Sequence, residues 1–386
     1  MQMINGMRRG KPQIGILGGS GILGAHGPAY MDNTDLCSVV MVAEPDRDRH
    51  ARIHKLLGDN VEIVPDYRDV LANDKIEAVD IILPHYLHMP AAVEAAKAHK
   101  HVLVEKVMAR NIWECDRMIE ACEQADVTLT VSHDRRYHGQ WEALKDIVDS
   151  GVLGEIFFWK LDHNQDVVFP EGSWVRTRDG LGGGCIMSCL THQIDALRWY
   201  AGEFDSVTCM TRVTPDRMEG ESLGVILATL ANGALAELSI NWRTRSNVGE
   251  NCLWYEMVHA CGTKGEAYYM SNRGGTFIKL NEHADPKAID KYGEKALKDM
   301  VPVECPPYKG HKKCITEWIK LIAGEDADIR TSGRDCRGTV EVAEAAYLAV
   351  DERRLVSLPI EPRPWVESGG AVGTGKTSAA SYHIEK

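Results

Sequence analysis

The sequence predicts an α/β protein built from two domains of different construction. Up to about residue 132, short apolar runs such as Ser38–Ala43 alternate with stretches of helical spacing, a pattern typical of a parallel sheet covered by helices. Beyond that point β-rich runs follow one another, and Asn232-Gly233 between two of them indicates a hairpin. A chain of 386 residues is long for one core. We therefore expect a dinucleotide-binding domain at 1–132, an α+β domain with a large, mostly antiparallel open sheet at 133–367, and a Gly/Ser-rich tail at 368–386.

The first predicted strand runs directly into a glycine-rich turn. Residues 13–30 read QIGILGGSGILGAHGPAY, an apolar run followed by glycines and then by helical spacing. The pattern G-x-G-x-x-G is matched by Gly19, Ser20, Gly21, Ile22, Leu23 and Gly24. We expect Gly19 to make the bend, Gly21 to let a pyrophosphate approach the backbone, and Gly24 to let the helix pack closely on the strand. The alternative is a tight loop without a ligand.

An acidic residue at the end of the second predicted strand separates these alternatives. The strand Ser38–Ala43 is followed directly by Glu44, which lies twenty positions beyond Gly24. A carboxylate at this position would accept a hydrogen bond from the ribose 2′-hydroxyl of a dinucleotide. Strand, turn, helix, strand and acid in this order predict a Rossmann domain. Glu44 predicts NAD rather than NADP, because a carboxylate repels a 2′-phosphate, and Arg47 and Arg49 nearby moderate that preference.

Composition excludes several classes of partner. The formal net charge of −12 is unlike the basic surface of a nucleic-acid-binding protein. No run approaches the ~18 apolar residues of a membrane span, and the first residues lack the apolar core of a secretory signal. We expect no membrane partner and a cytoplasmic location. The eleven cysteines include Cys185 and Cys189, which could form a metal or redox pair, but no second pair completes a tetrahedral site, so we expect no metal.

Three predicted strand ends carry reactive side chains. Ligands of open α/β sheets bind beyond the carboxyl ends of the strands. The residues at these ends that we expect to meet ligand are Pro84, His88, Glu105, Lys106, Arg136 and Tyr137. Lys106 directly follows the strand His101–Glu105, where a nicotinamide ring is expected, although a solvated lysine also fits that position.

The second domain contributes a histidine and an aspartate. His192 and Asp195 are three residues apart on a predicted helix and so share a face. A helical histidine is more often a packed residue than a catalyst. The triple glycine at 182–184 favours a ligand site, because it would allow close backbone approach to a ligand.

Taken together, these motifs resemble the GFO/IDH/MocA family, named for glucose-fructose oxidoreductase and inositol dehydrogenase. The resemblance rests on segments along nearly the whole chain: IGILGGSGILGAH, AEPD, VDIILPHYLH, HVLVEK, GGGCIMSCLTHQIDALRWYAG and AEAAYLAVDERRLVSLPIE. It implies an NAD-dependent oxidoreductase acting on a sugar, glycoside or cyclitol, and a homo-oligomer that associates through the open face of the second sheet.

The resemblance also implies roles for individual residues. Lys106 falls on the lysine of the family's E-K-P motif, and His192 on the histidine of its D-x-G-x-H-x-x-D motif. Pro84 and His88 match a P-x-x-x-H segment that borders the nicotinamide in relatives. The expected catalytic residues are therefore Lys106 and His192. The expected substrate-binding residues are Lys106, Arg136, Tyr137, Trp174, Arg176, Ser188, His192 and Asp195.

Three positions depart from the family pattern. Val107 replaces the proline after the lysine, Leu190 replaces the motif glycine, and Ser188 replaces its aspartate. In many relatives that aspartate joins the lysine and histidine as a catalytic triad. Since serine is a far weaker base, the proton-handling role must move to another group or disappear.

Two other functions remain open on the sequence alone. The protein could recycle a tightly bound NAD, as a glycosidase or a sugar–sugar oxidoreductase, or it could be a non-catalytic NAD- or sugar-binding sensor. A separate match at 370–377 to the phosphate-loop pattern G-x-x-x-x-G-K-[ST] lacks a preceding buried strand, so we interpret it as a chance match.

Overall fold

The computed structural model describes residues 11–243, 254–307 and 309–366. The tail predicted at 368–386, with its phosphate-loop match, lies outside the described residues. The helices are α1 Leu23–Asp32, α2 His50–Leu57, α3 Tyr67–Leu71, α4 His85–Lys97, α5 Ile112–Gln124, α6 Gly139–Asp149, α7 Arg178–Leu181, α8 Thr191–Ala201, α9 Pro286–Tyr292, α10 Gly310–Ile322 and α11 Gly333–Glu352. Within those ranges, no helix combines the length and apolarity needed to cross a membrane.

The first sheet consists of six parallel strands in the order β3-β2-β1-β4-β5-β6. Their bounds are β1 Gln13–Leu17, β2 Ser38–Ala43, β3 Glu62–Val64, β4 Ile76–Ile81, β5 His101–Glu105 and β6 Leu129–Ser132. Strand order reverses between β1 and β4, which is where a parallel sheet of this kind opens a ligand crevice beyond its carboxyl ends. The predicted Rossmann architecture is confirmed.

The second sheet has nine strands in the order β14-β13-β12-β11-β7-β10-β9-β8-β15 and is antiparallel except where β10 pairs with β7. The strands are β7 Ile156–Gln165, β8 Phe204–Val213, β9 Glu221–Leu230, β10 Leu235–Asn241, β11 Trp254–Gly262, β12 Gly265–Met270, β13 Gly275–Leu280, β14 Val301–Val303 and β15 Val356–Ser357. The mostly antiparallel sheet predicted for this half is confirmed. Gly233, at φ +88°, turns the predicted hairpin between β9 and β10.

One face of the second sheet is covered and the other is open. The covered face contributes Trp159 of β7 and Leu238 of β10 to the main core, which also includes residues of α8 and α11. The opposite face presents Met210, Leu227 and Leu235, which are at least half exposed. An apolar row of this kind on an unpaired sheet face is typical of a contact surface.

Helix α10 does not lie where the sequence suggested. Its position in the chain, after the β-rich runs, predicts that this helix covers one face of the second sheet together with α8. Instead its residues Ile315, Trp318 and Ile319 are fully buried in the same core cluster as Ile14 of β1 and Leu23 of α1. Helix α10 thus covers the apolar face of the first sheet on the side of α1.

The later part of the chain therefore returns to the first sheet. The domain boundaries expected near residue 132 and residue 367 remain predictions.

The bend after β1 falls one residue earlier than predicted. Gly18, not Gly19, has a positive φ of +106°, and a Cβ there would lie 2.7 Å from the carbonyl oxygen of Ile82. Gly24 does not face the strand, since the nearest atom to an added Cβ is Nη2 of Arg52 at 3.0 Å. Arg52 in turn donates hydrogen bonds to the carbonyl oxygens of Ser20 and Gly21, each at 2.9 Å, and so holds the turn from outside.

We predict that Gly18→Ala lowers the free energy of unfolding by about 1–3 kcal/mol, the usual cost of a side chain held at a positive φ. Gly21→Ala is the matched control, because an added Cβ at Gly21 meets no atom within 4 Å. Urea unfolding of the two variants measures both effects. Equal stability of the two variants would show that the bend does not depend on Gly18.

Candidate active site

A cavity of about 630 Å³ opens where the strand order of the first sheet reverses. It extends from the glycine-rich turn at one end to the second domain at the other. Predicted site residues among its lining are Gly19, Ser20, Ile22, Glu44, Pro84, His88, Glu105, Lys106, Trp174 and Ser188. Its lining is largely apolar, as expected for a crevice that holds a nucleotide base and ring.

Glu44 organises the turn end of this cavity. The carboxylate is buried and accepts hydrogen bonds from the backbone N–H groups of Gly19 at 3.0 Å and Asp46 at 2.9 Å. Arg49 Nη1 also donates to it, at 3.2 Å. The predicted Arg47 is not among the cavity-lining residues, whereas Arg49 is, because the 3₁₀ turn Arg47–Arg49 points the third residue back toward Glu44. The cationic neighbour of the ribose site is therefore Arg49.

Space beside the turn suits a pyrophosphate. No atom lies within 4 Å of a Cβ added to Gly21, and the turn passes directly into helix α1. The start of a helix offers free backbone N–H groups to an anion. With Glu44 at the ribose end, the residues present fit a nicotinamide dinucleotide.

At the other end of the cavity, Lys106 connects the two halves of the protein. Its Nζ donates a 2.8 Å hydrogen bond to the backbone carbonyl oxygen of Ser188. Its own backbone N–H donates to Glu105 Oε2 at 3.0 Å. The peptide bond between Lys106 and Val107 is cis. The lysine therefore lies at the junction of the first domain with the segment that carries His192.

His88 fixes the loops around this junction. Its Nδ1 lies 2.9 Å from the carbonyl oxygen of Val107, and its Nε2 lies 2.8 Å from that of Leu83. Burial lowers the pKa of His88. Pro84 immediately precedes helix α4, which His88 belongs to. These two residues line the cavity together with Lys106, and their expected contact with the nicotinamide stays a prediction.

A second cavity, of about 700 Å³, adjoins the first and shares Ile22, Lys106, Gln165 and Cys189 with it. Its lining is richer in polar and charged groups: Asp134, Arg135, His138, His163, His192, Glu256 and His311. Burial, and then the positive charges of Arg135 and Lys106, hold the pKa of His192 well below its usual value. His192 is therefore a neutral imidazole that can accept a proton from a ligand in this cavity.

The segment before His192 is shaped by packing within the protein. A Cβ on Gly182 would approach Arg110, one on Gly183 would lie 2.2 Å from the hydroxyl of Tyr347, and one on Gly184 would overlap Glu221. The triple glycine is thus required by close contact with side chains and backbone of the protein, and the expected reason, close approach to a ligand, was wrong. It leads into a π-helical turn at Ile186–Leu190, a feature often found at functional sites.

Glu221 stabilises the π-helical turn through hydrogen bonds. It accepts hydrogen bonds from the Ile186 N–H at 2.8 Å and the Tyr347 hydroxyl at 2.9 Å. The same hydroxyl accepts a hydrogen bond from the Gly184 N–H at 3.0 Å. Burial raises the pKa of Glu221 to about 7. The backbone carbonyl that holds Lys106 is therefore positioned by a buried, fully bonded scaffold.

Several residues expected at the substrate lie elsewhere. Arg136 and Asp195 form a buried bidentate ion pair with each other, at 2.9 and 2.7 Å. Tyr137 is fully buried, and its hydroxyl accepts a hydrogen bond from the backbone N–H of Arg330. Arg176 donates to the carbonyl oxygen of Asp216. None of these four residues is among those lining the two cavities, so the structure gives them a scaffolding role in place of the expected substrate contact.

Residues that the sequence analysis did not assign to the substrate site line the cavities in their place. Asp134 and Arg135 directly precede the predicted Arg136, but the chain leaves β6 in a 3₁₀ turn at Asp134–Tyr137, and the orientation of each side chain in such a turn cannot be read from spacing. Cys189 lines both cavities, next to Ser188. Glu256 comes from β11, more than a hundred residues away, and carried no local signal.

The fold and this pair of joined cavities define a nicotinamide-dependent oxidoreductase. Residues 13–133 match the model of an oxidoreductase family with an NAD-binding Rossmann fold, and residues 141–268 match the GFO/IDH/MocA C-terminal domain. The chain belongs to the GFO/IDH/MocA family, as the sequence motifs indicated, and its cofactor is a nicotinamide dinucleotide.

Named relatives agree with this assignment. The chain is 22% identical to a myo-inositol 2-dehydrogenase of Thermotoga maritima, over 90% of this chain and 98% of that protein. It is 26% identical to a D-apiose dehydrogenase of Rhizobium rhizogenes, over 81% and 88% of the two chains. Among solved structures, the WlbA dehydrogenase of Bordetella pertussis in complex with NADH and UDP-GlcNAcA superposes with a TM-score of 0.77 at 21% identity, covering 92% of this chain and all of that one. This last likeness shows the shared fold.

We predict that Glu44→Ser increases the ratio of NADP affinity to NAD affinity by about tenfold or more, equivalent to ~1.4 kcal/mol. The substitution removes the repelling carboxylate and frees Arg49, which is bonded to it, to contact the 2′-phosphate. Adding Arg49→Ala to Glu44→Ser should remove most of the gain. Fluorescence titration of each protein with both cofactors measures the ratio. Equal affinities in the unmodified protein would contradict the expected NAD preference.

Proposed function

We propose that the protein is an NAD-dependent dehydrogenase that oxidises a secondary hydroxyl of a sugar, glycoside or cyclitol. The observation that carries the proposal is that Lys106 lines both cavities, while neutral His192 lines the polar one. One cavity fits a dinucleotide and the other is polar. A carbon bearing a hydroxyl in the polar cavity would lie beside the nicotinamide end of the first.

The polar cavity supports a polyhydroxylated substrate. Gln165, His163 and Glu256 offer hydrogen-bond donors and acceptors on one wall, and Ser271 offers a hydroxyl. Hydroxyl groups need such partners, because a polar group buried without one is costly. Trp174 lies in the wall of the first cavity with its ring 5.0 Å from that of His85 and provides a flat apolar surface near the junction.

Bound NAD would supply the hydride acceptor, and the turn at 18–21, Glu44 and the Pro84–His88 wall would hold it. The side chains at the junction handle the substrate oxygen. His192 accepts the hydroxyl proton, because burial and the nearby positive charges keep it a neutral imidazole, which can act as a general base. Lys106, as a cation, donates a hydrogen bond to the same oxygen and stabilises the negative charge that develops there.

Ser188 takes part through its backbone. Its carbonyl oxygen holds Lys106 Nζ, while its hydroxyl lies 3.9 Å from the Cys189 thiol. A serine hydroxyl is a poor base at neutral pH, so the proton in this scheme goes to His192 alone. The side chain of Ser188 remains free to donate a hydrogen bond to substrate.

The same proposal includes a homo-oligomer. The open face of the second sheet presents Met210, Leu227 and Leu235 in a row across β8, β9 and β10. Burying such a row against a second copy of the chain would remove apolar surface from water.

We predict that Lys106→Met and His192→Gln each lower kcat by ~10²–10⁴, the usual cost of losing a group that transfers or stabilises a proton. The Kd for NAD should stay within a few-fold, since the turn and Glu44 are untouched. Lys97→Met, at an exposed lysine in the last turn of α4, is the control. Steady-state kinetics with myo-inositol, D-glucose and methyl glucoside as probes, with NAD titrations, separates the two effects. Unchanged kcat in both variants would overturn the assignment of roles.

A further inference from the structure

A buried carboxylate lies directly behind His192. Asp134 follows β6, is fully buried and belongs to the wall of the polar cavity. Its Oδ2 accepts a 2.7 Å hydrogen bond from Arg135 Nη1 and lies 3.4 Å from Nδ1 of His311. Oδ2 of Asp134 is therefore occupied by Arg135 and His311.

The other oxygen faces His192. Asp134 Oδ1 lies 3.6 Å from His192 Nδ1. Both atoms are buried, and neither has a hydrogen-bond partner within the part of the chain that the structure describes. Two unsatisfied polar atoms in the interior are costly, and a movement of roughly 0.6 Å would join them at an ordinary hydrogen-bond distance. Catalytic hydrogen bonds are often this long before substrate binds.

Asp134 stays ionised in this position. Burial alone would raise the pKa of its carboxyl group, but Arg135 and then His311 hold that pKa below its usual value. The other carboxylate of the same cavity wall, Glu256, is engaged elsewhere. It accepts hydrogen bonds from Arg135 at 3.2 and 2.9 Å and from Gln193 at 3.2 Å. Asp134 is thus the ionised carboxylate that faces the proposed base.

We propose that Asp134 is the positioning residue for His192. The carboxylate accepts a hydrogen bond from the Nδ1–H of His192, which fixes the tautomer that leaves Nε2 free to act as the base. This inference rests on the proposed function. When the substrate O–H bond breaks, the proton goes to Nε2 of His192, and the hydride on the carbon that bears this oxygen would go to bound NAD. Asp134 remains ionised and stabilises the imidazolium that forms.

The arrangement also explains how the site tolerates Ser188. The His192 imidazolium needs a nearby negative charge, and the serine side chain cannot supply one. Asp134 supplies it from the turn that follows β6. The charge needed for proton transfer thus comes from the turn beyond the last strand of the first sheet, whereas the histidine lies on helix α8.

Asp134→Asn tests the proposal through the tautomer of His192. The amide oxygen is expected to stay on Arg135, which donates to this side chain, so the amide N–H would face His192 Nδ1 and donate to it. That reversal forces the proton of His192 onto Nε2. ¹⁵N NMR of histidine-labelled protein with NAD bound reads the tautomer directly, with His192 assigned from the signal that disappears in His192→Gln. We expect the Nδ1–H form in the unmodified protein and the Nε2–H form in Asp134→Asn, and the same tautomer in both proteins would overturn the proposal.

Kinetics with the fastest of the three probe compounds provides the second measurement. Asp134→Asn should lower kcat by ~10² or more, since its histidine can no longer accept the proton, with the Kd for NAD unchanged. Asp195→Asn is the matched control. Asp195 is as buried as Asp134, lies on the same helix as His192, and forms a bidentate ion pair with Arg136. Its substitution should lower Tm but have a much smaller effect on kcat than Asp134→Asn.

The outcomes separate this inference from the proposed function. If His192→Gln lowers kcat and Asp134→Asn does not, His192 is the base and Asp134 has no part in positioning it. If neither variant lowers kcat, the proposed function itself fails. An equal loss of kcat in Asp134→Asn and Asp195→Asn, with an unchanged tautomer, would mean that Asp134 only stabilises the fold.

Discussion

The hydrogen bond from Lys106 Nζ to the carbonyl oxygen of Ser188 is the contact on which the active site depends. It joins the carboxyl end of β5 to the π-helical turn before His192, and so brings a cation of the first domain next to a neutral base of the second. Neither domain could place both groups on one substrate oxygen alone. The scaffold on each side of this bond serves to keep its two ends fixed.

On the side of the first domain, that scaffold is a run of buried charges. His26 lies between Asp80 at 2.7 Å and Glu105 at 2.9 Å, and although burial opposes its charge, these carboxylates raise its pKa to about 10. Glu105 in turn holds the backbone of Lys106. Breaking one member of such a set leaves a buried charge without compensation, which is more costly than the set contributes as a whole. The backbone of Lys106, directly after β5, is thus fixed by a carboxylate that is itself part of this buried set.

The sequence predicted local structure well where one segment determines it. The ranges expected for β2 and β5 agree with the structure to the residue, because each is a complete apolar pattern bounded by turn residues. Lys106, Glu44 and His192 could be proposed as site residues for the same reason, since each follows or begins a recognisable element, and all three line the cavities. The strand β13 was not predicted, because Gly274 before it and Gly275 at its start interrupt a short apolar run.

What the sequence could not show depends on long-range packing. The position of α10 against α1 follows from which apolar face lacked a cover, and the bend at Gly18 from the approach of Ile82 across the sheet. The choice among neighbouring residues 134–137 was wrong for Arg136 and Tyr137 because a 3₁₀ turn, which periodicity does not reveal, decides which side chains reach the cavity. The contact between Asp134 and His192 could not be predicted either, because it depends on how the turn after β6 and helix α8 pack together.

The central claim, that the joined cavities oxidise a hydroxyl compound with NAD as a released cosubstrate, is tested most directly by absorbance spectra of the purified protein. The spectra are recorded with myo-inositol, D-glucose and methyl glucoside, each with and without added NAD. The account predicts a reduced-nicotinamide band that requires both NAD and one of the hydroxyl compounds and that grows beyond one equivalent per chain. A band that appears without added NAD and stops at one equivalent, or no band with any of the three compounds, would contradict it.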